Sequence, residues 1–381
     1  MIFVLGALAA VVAGSAVYGV LVLVAARNYI CEPGPGKASL GLPRDPISVL
    51  KPLFGADEGL RDNLRTFFEQ DYRNYEILMA VPSEAAPEAE IARRVMREFP
   101  SIPAKIVVTG PSPRPNGKVF ALERLLPEAH AGILVMSDSD IRVTPAMLGA
   151  IAAEMQDPAV GLITCPYRAI AGASFWSRLE ASGMNSEFLG GVLVARLLNG
   201  MDFALGCTIA IRREALDRIG GFGTLRDYLA EDFMMGKLMG ESGKRVILSS
   251  YVIEHRIGSQ AFRANMNHRL RWARSTRRSR PAGYAGEIFT RPLIPGLMLA
   301  ALFPRWWPLA AIAIPLRLAG AAVLAGSILK LRLNAEFWLL IPIQDLVSLL
   351  CWLAGFFGRT ILWRGRRLAI QPDGKFTEYR T

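Results

Sequence analysis

Cysteine is sparse in this chain of 381 residues: there are four, Cys31, Cys165, Cys207 and Cys351, none in a CxxC pair or at metal-ligand spacing. No disulfide framework is implied, and the four read as reduced thiols on a cytosolic face or within a bilayer. Histidine is sparser still. His130, His255 and His268 are too few and too scattered for a zinc site, and each reads as a surface or packing residue. Charge is thin at both ends. Ile2 to Ala26 carries none, and the zone from Leu293 to Phe357 is interrupted chiefly by Arg305, Arg317, Lys330 and Asp345.

Apolar sequence is what the chain has instead. Hydrophobic residues make up 52% and the mean hydropathy is +0.28, too apolar for an ordinary soluble protein, so part of the chain is expected in a membrane. The first run reaches the ~20 residues a helix needs to cross the hydrocarbon core. It is too long for a cleaved signal peptide and lacks a basic n-region, so it is expected to be a retained anchor. Arg27 and the Pro/Gly-rich "CEPGPGKASLGLPRDP" follow it, and no Lys or Arg precedes it. Positive-inside bias then sets the next domain in the cytosol. In the second zone, Arg305 beside Trp306 and Trp307 suggests a hairpin turn at the far membrane surface, with arms of about 289–303 and 306–329. The stretch 337–358, with Pro342 and Asp345, is expected to be re-entrant or interfacial, because the basic "RTILWRGRR" after it implies an even number of crossings.

The 44 Lys and Arg against 33 Asp and Glu give a net charge of +11. That excess suits nucleic acid, anionic headgroups or a phosphorylated substrate. With so much apolar sequence, lipid and phosphate are the expected partners, and nucleic acid is not.

Residues 46–285 read as an α/β domain. "PISVLKPL", "YEILMAV", "AKIVVT" and "GILVMSD" are short β-rich runs separated by helical segments, which predicts a mostly parallel sheet with right-handed crossovers. Ligands in such sheets bind beyond the carboxyl ends of the strands, and Asp138 and Asp140 of "SDSD" sit at one of them. Two carboxylates so close repel each other unless something positive lies between them. They are hard ligands suited to Mg²⁺ or Mn²⁺, which would neutralise a diphosphate leaving group, or they are the Asx turn that ends a strand.

Three other stretches carry chemistry with a plainer reading beside it. In "YLAEDFMM", Glu231 and Asp232 compensate a helix N-terminus, or a carboxylate among apolar neighbours serves as a general base. "HRLRWARSTRRSR" is a solvated or lipid-facing basic face, or Arg271 beside Trp272 offers a fork for diphosphate and a plane for a ring. Lys118, after the loop "RPNG", is an exposed cap or a phosphate contact. "FWSRLEASGMNSEFLGGVLVARLL" is an interfacial segment or an ordinary core helix.

In their order, "SVLKPLFGADEGLRDNLRTFFEQDYRNYEILMAV", "NGKVFALERLLP", "MSDSDIRV", "LGCTIAIRREALDRIGGF", "YLAEDFMM" and "HRLRWARS" resemble the inverting GT-A glycosyltransferases of the ceramide glucosyltransferase family. The likeness is greatest to bacterial members, including hopanoid-biosynthesis glycosyltransferases. It implies a GT-A, Rossmann-like α/β fold flanked by transmembrane helices, and transfer of glucose or N-acetylglucosamine from a UDP-sugar to the hydroxyl of a lipid such as ceramide or a hopanoid. It implies metal and nucleotide carboxylates at Asp138 and Asp140, a catalytic base at Asp232 with Glu231 beside it, and an Arg-Trp pair at Arg271 and Trp272. The expected nucleotide-sugar contacts are Glu84, Lys118, Asp138, His268 and Glu231. The chain departs from the family pattern twice: His268 begins the (Q/R)-x-x-R-W motif, and near "AVPSEAAPE" Glu84 stands where relatives usually have aspartate.

The expected organisation is an anchor (1–26), a linker (27–45), a cytosolic catalytic domain (46–285), a transmembrane or re-entrant region (286–358) and a basic cytosolic tail (359–381), in the inner membrane. Two rival readings share these features: a processive polysaccharide synthase, which needs more spanning helices than the C-terminal zone offers, and a non-catalytic membrane scaffold that keeps the fold.

Overall fold

A computed structural model describes residues 1–32, 45–363, 366–371 and 373–378. Most of the expected linker, and Arg364 of the expected basic tail, lie outside the described residues. The chain divides into two compact units. A sheet unit comprises the described residues of Pro33–Ile170 and Met201–Gly258; a helical unit comprises those of Met1–Glu32, Ala171–Gly200 and Ser259–Thr381. Segments 171–200 and 259–285, expected within one continuous domain of 46–285, cluster instead with the terminal helices. The helices Phe175–Gly183 and Phe262–Ser279 both pack on the late helix Ala335–Gly355, a contact no local pattern announces.

In chain order the strands of the sheet unit are β1 (Ile47–Pro52), β2 (Tyr75–Val81), β3 (Ala104–Val108), β4 (Ile133–Ser137), β5 (Ile141–Arg142), β6 (Val160–Thr164), β7 (Tyr167–Ile170), β8 (Thr208–Arg212), β9 (Arg245–Leu248) and β10 (Ile253–Arg256). Seven form the main sheet in the order β3-β2-β1-β4-β8-β6-β9, with β8 alone antiparallel to its neighbours. Both faces are covered, so β4 is buried along its whole length and reads as an unbroken apolar run. The helix Leu60–Phe68 covers one face by burying Leu60, Leu64, Phe67 and Phe68 at helical spacing. The helix Gly117–Leu125 begins where Asn116 accepts the Val119 N–H at 3.1 Å, and it buries Val119, Leu122 and Leu125 in the core with Leu50, Leu134 and Met136. Because β8 runs against β4, its start, Thr208, pairs with Ser137 at the end of β4. Gly206 and Cys207 are thereby delivered to the strand end that carries Asp138. A second sheet, β5-β10-β7, is built from three short strands beside this edge.

In the helical unit, Ile2–Cys31, Pro304–Ile328 and Ala335–Gly355 are long and apolar enough to cross a membrane. The chain is membrane-integral. Gly19 lets the first helix close on the helix Trp307–Ala322, since a Cβ there would lie 2.8 Å from the Leu316 Cβ, the small-residue contact by which membrane helices approach. The first arm of the expected hairpin is bent near Pro292, where Pro281–Thr290 and Leu293–Leu302 meet at 56°. The stretch expected to be re-entrant is a continuous helix, Ala335–Gly355. Its Asp345 is matched by Arg317, Nη2 to Oδ1 2.9 Å, which offsets the cost of both charges. The tail contains an antiparallel sheet of Thr360–Trp363, Arg366–Ile370 and Phe376–Glu378.

Candidate active site

The site is assembled at the carboxyl edge of the main sheet. Asp138 follows β4, and its backbone N–H donates to the Cys207 carbonyl at 3.1 Å. Lys118, in the first turn of its helix, donates to Asp138 Oδ1 at 2.7 Å and to the Gly206 carbonyl at 2.8 Å, and it lies 3.5 Å from Glu231 Oε1. Burial alone would pull the Lys118 amine down, but Asp138 and Glu231 outweigh it and hold the ammonium form. The positive charge demanded by the paired aspartates is thus partly internal. Lys118 was expected to be an exposed cap or a phosphate contact; it bridges the two acidic motifs.

Glu231 and Asp232 open the helix Glu231–Glu241. Asn116 donates to the Tyr228 carbonyl at 3.0 Å and lies 3.4 Å from Glu231 Oε2, tying that helix to the one bearing Lys118. Asp232 Oδ1 accepts the Phe233 N–H at 2.8 Å. Burial first, then the neighbouring Glu231 charge, push the Asp232 carboxyl up to about 7, only partly countered by Lys118. A carboxyl raised that far can accept a proton near neutral pH.

Gly206 is required by this carboxylate. A Cβ on it would lie 2.7 Å from Asp232 Oδ2. Gly206→Ala therefore displaces the group expected to do the chemistry, and a shift of about 1 Å can cost ~10²-fold in kcat. We expect that loss with an unchanged melting temperature, measured on the same preparation. A variant with wild-type kcat would show that the Asp232 position is unimportant.

Two residues beneath the edge escaped the sequence reading. Lys51, fully buried in β1, donates to the Asp138 carbonyl at 2.5 Å and sits over the Phe67 ring, 3.8 Å from its centroid. Burial lowers its amine to about 7 against the pull of Asp138 and Asp140. His255, read as a packing residue, places Nε2 3.1 Å from Asp140 Oδ2. The pairing of β10 with β5 brings it there, and the Arg256 N–H donates to the Asp140 carbonyl at 2.8 Å. The His255 contact holds the Asp140 carboxyl below its ordinary value in spite of burial.

A divalent cation fits these donors in one specific respect: Asp140 Oδ1 is buried and accepts no hydrogen bond, a vacancy that a hard cation satisfies. Among the described residues no group of three or more His, Cys, Asp and Glu side chains is arranged to hold a metal by itself.

Glu84 is exposed on the turn after β2, where its carbonyl accepts Arg93 at 2.9 Å; the buried acid nearby is Glu88, in the first turn of the helix Pro87–Glu98, whose Oε1 accepts the Gly55 N–H at 2.9 Å. His268, Arg271 and Trp272 are on the helix Phe262–Ser279 of the helical unit. His268 Nδ1 is 2.7 Å from Glu180 Oε1, and its ring meets Trp272 edge-on at 5.3 Å. The basic run expected as a solvated or lipid-facing face has internal work. Arg274 donates to the carbonyls of Phe357 and Thr360, and Arg277 to those of Phe356 and Gly358, closing the end of the helix Ala335–Gly355.

The profile described as Glycosyl transferase family 21 matches residues 7–376. The chain is 26% identical to ceramide glucosyltransferase 3 of Caenorhabditis elegans over 235 residues, 60% of this chain and 50% of that protein. It is 27% identical to ceramide glucosyltransferase 1 of the same organism over 228 residues, 59% and 48% of the two. The chain spans about half the length of these relatives. Among solved structures it resembles the mannosyltransferase PcManGT from Pyrobaculum calidifontis, in complex with GDP-Man and Mn²⁺, with a TM-score of 0.53 and 21% identity over 92% of this chain and 99% of that one. That likeness is one of fold: an α/β GT-A architecture with a mostly parallel sheet, here with apolar helices near both ends. With a profile match that runs through almost the whole sequence, the chain belongs to glycosyl transferase family 21.

Proposed function

We propose that the protein is a membrane-bound inverting glycosyltransferase that moves glucose or N-acetylglucosamine from a UDP-sugar to the hydroxyl of a lipid such as ceramide or a hopanoid. The observation that carries this reading is the carboxylate Asp232, raised to about 7 and fitted against Gly206, joined through Lys118 and Glu231 to the strand end that bears Asp138. Family membership and the ceramide glucosyltransferase relatives support the lipid acceptor; the basic, membrane-integral chain supports a phosphorylated donor met at a membrane surface. We place the sheet unit in the cytosol, at the inner membrane, where nucleotide sugars are made. Counting Pro304–Ile328 and Ala335–Gly355 as the C-terminal crossings gives an even number, which in this reading keeps the basic tail on that side.

Asp232 takes the proton of the acceptor hydroxyl while the oxygen attacks the anomeric carbon from the face opposite the nucleotide. The bond to the diphosphate breaks in the same displacement, and the configuration inverts. Burial pushes the Asp138 carboxyl up, Lys118 partly counters it, and the same ammonium stands between Asp138 and Glu231. Lys51 and His255 hold the backbone and side chain of the D-S-D turn in place. Asp138 and Asp140 are the carboxylates that would hold Mg²⁺ or Mn²⁺, and such an ion supplies charge neutralisation to a diphosphate.

The rate should follow the ionisation of Asp232. A base must be unprotonated, and its raised value means that activity is lost as pH falls through about 7. We expect kcat at saturating donor and lipid to drop by about tenfold per pH unit below that point. A flat profile from about pH 5 to about pH 8 would remove Asp232 from the role of base.

A further inference from the structure

The far end of the helix Ala335–Gly355 carries a surface that the reaction does not use. Aromatic rings gather there. Phe356 meets Trp352 edge-on at 4.9 Å and Tyr284 at 5.1 Å, and the Trp352 Nε1–H donates to the Tyr284 carbonyl at 2.7 Å. Amphipathic rings at the end of a long apolar helix are the composition of a membrane–water boundary, which sets this end at headgroup depth.

The tail is held at that level. Residues 356–359 alone separate the helix from the strand Thr360–Trp363, and Arg274 and Arg277 hold the carbonyls of Phe356, Phe357, Gly358 and Thr360. Successive side chains of a strand point to opposite faces. One face of the tail sheet is internal: Ile361, Leu368, Ile370 and Phe376 are all buried. The other turns Leu362 outwards, 55% exposed, directly across from the exposed Arg367. Beside this face Phe357 is 73% exposed, and Arg359 is exposed too. Lys375 is matched by Asp373, but among the described residues no carboxylate pairs with Arg359 or Arg367.

The patch thus joins uncompensated cations to apolar side chains standing in water. A free phosphate would match the cations and leave Phe357 and Leu362 wet, whereas a lipid without net charge would cover the apolar groups and leave the cations unmatched. An anionic amphiphile satisfies both. We propose that this face of the tail sheet binds anionic phospholipid, with Arg359 and Arg367 on headgroup phosphates and Phe357 and Leu362 in the boundary with the acyl chains. The contact fixes the tail to the bilayer whether or not the chain transfers a sugar.

The test uses the full chain in nanodiscs. Two probes carry a diazirine at the same acyl position and differ only in headgroup, one phosphatidylglycerol and one phosphatidylcholine, and their cross-links to peptides within 356–371 are quantified. The glycerol probe should label these peptides in preference to the choline probe. Arg359→Gln and Arg367→Gln should each lower that preference about fivefold, the effect of one basic residue near an anionic surface, with unchanged melting temperature. Arg218→Gln, an exposed arginine of the sheet unit, should leave it unaltered. Excess inorganic phosphate should not displace the probe. Equal labelling by the two probes, or labelling absent from these peptides, overturns the proposal. So does a preference that ignores both tail variants, one that falls equally with Arg218→Gln, or displacement by phosphate alone. A dimer in the native mass spectrum whose formation blocks labelling would mean that a second copy covers the face, and overturns it as well.

Discussion

Asp232→Asn should lower kcat by the ~10²–10⁴ that loss of a general base typically costs, while UDP binds as tightly as to the unaltered protein. The amide keeps the size of the side chain and its place against Gly206, but it cannot take a proton. Asp138→Asn should behave differently. Lys118 loses its 2.7 Å partner and the strand end loses an anionic ligand, so nucleotide affinity and rate should fall together. Isothermal titration of UDP against both variants, beside steady-state rates, separates the two roles. Equal loss of UDP affinity in both would move Asp232 into the nucleotide site and leave Glu231 as the next candidate for the base.

Chelation is expected to have an effect as large. If Asp138 and Asp140 ligate a hard divalent ion, excess EDTA should abolish turnover, and added Mg²⁺ or Mn²⁺ should restore it. Asp140→Ala should remove the restored activity and yet fold, because the main sheet ends at Ser137 before the turn begins. The buried Oδ1 of Asp140, with no donor of its own, is the structural reason to expect the ion there. Full activity in excess chelator would mean that Lys118 and the other cations manage the diphosphate charge without it.

His255 shows how a residue with no local signature enters a site. Its contact with Asp140 spans 115 positions and depends on the pairing of β10 with the two-residue β5, which is too short to be seen as a strand in the sequence. Lys51 is similar. In "SVLKPL" it interrupts an apolar strand for no visible reason, and the reason is a carbonyl 87 positions away. Arg317 and Asp345 each look like a fault in an apolar run until they are paired.

What the sequence determined by itself was whatever depends on near neighbours. Hydrophobic runs of strand length alternating with helical ones made the α/β sheet legible, apolar stretches at both ends made the membrane helices legible, and "SDSD" and "AEDF" stood out as candidate sites because carboxylates crowded together or set among apolar residues are energetically conspicuous. The tertiary structure alone decided what depends on closing long loops: that Lys118, Gly206 and Glu231 converge on Asp138, that His255 holds Asp140, that segments 171–200 and 259–285 leave the sheet unit, and that the chain bends near Pro292. The physical reason is that such contacts are selected by the packing of whole elements. Their energies appear only after burial has removed water from between the partners, so no local pattern of residue types encodes them.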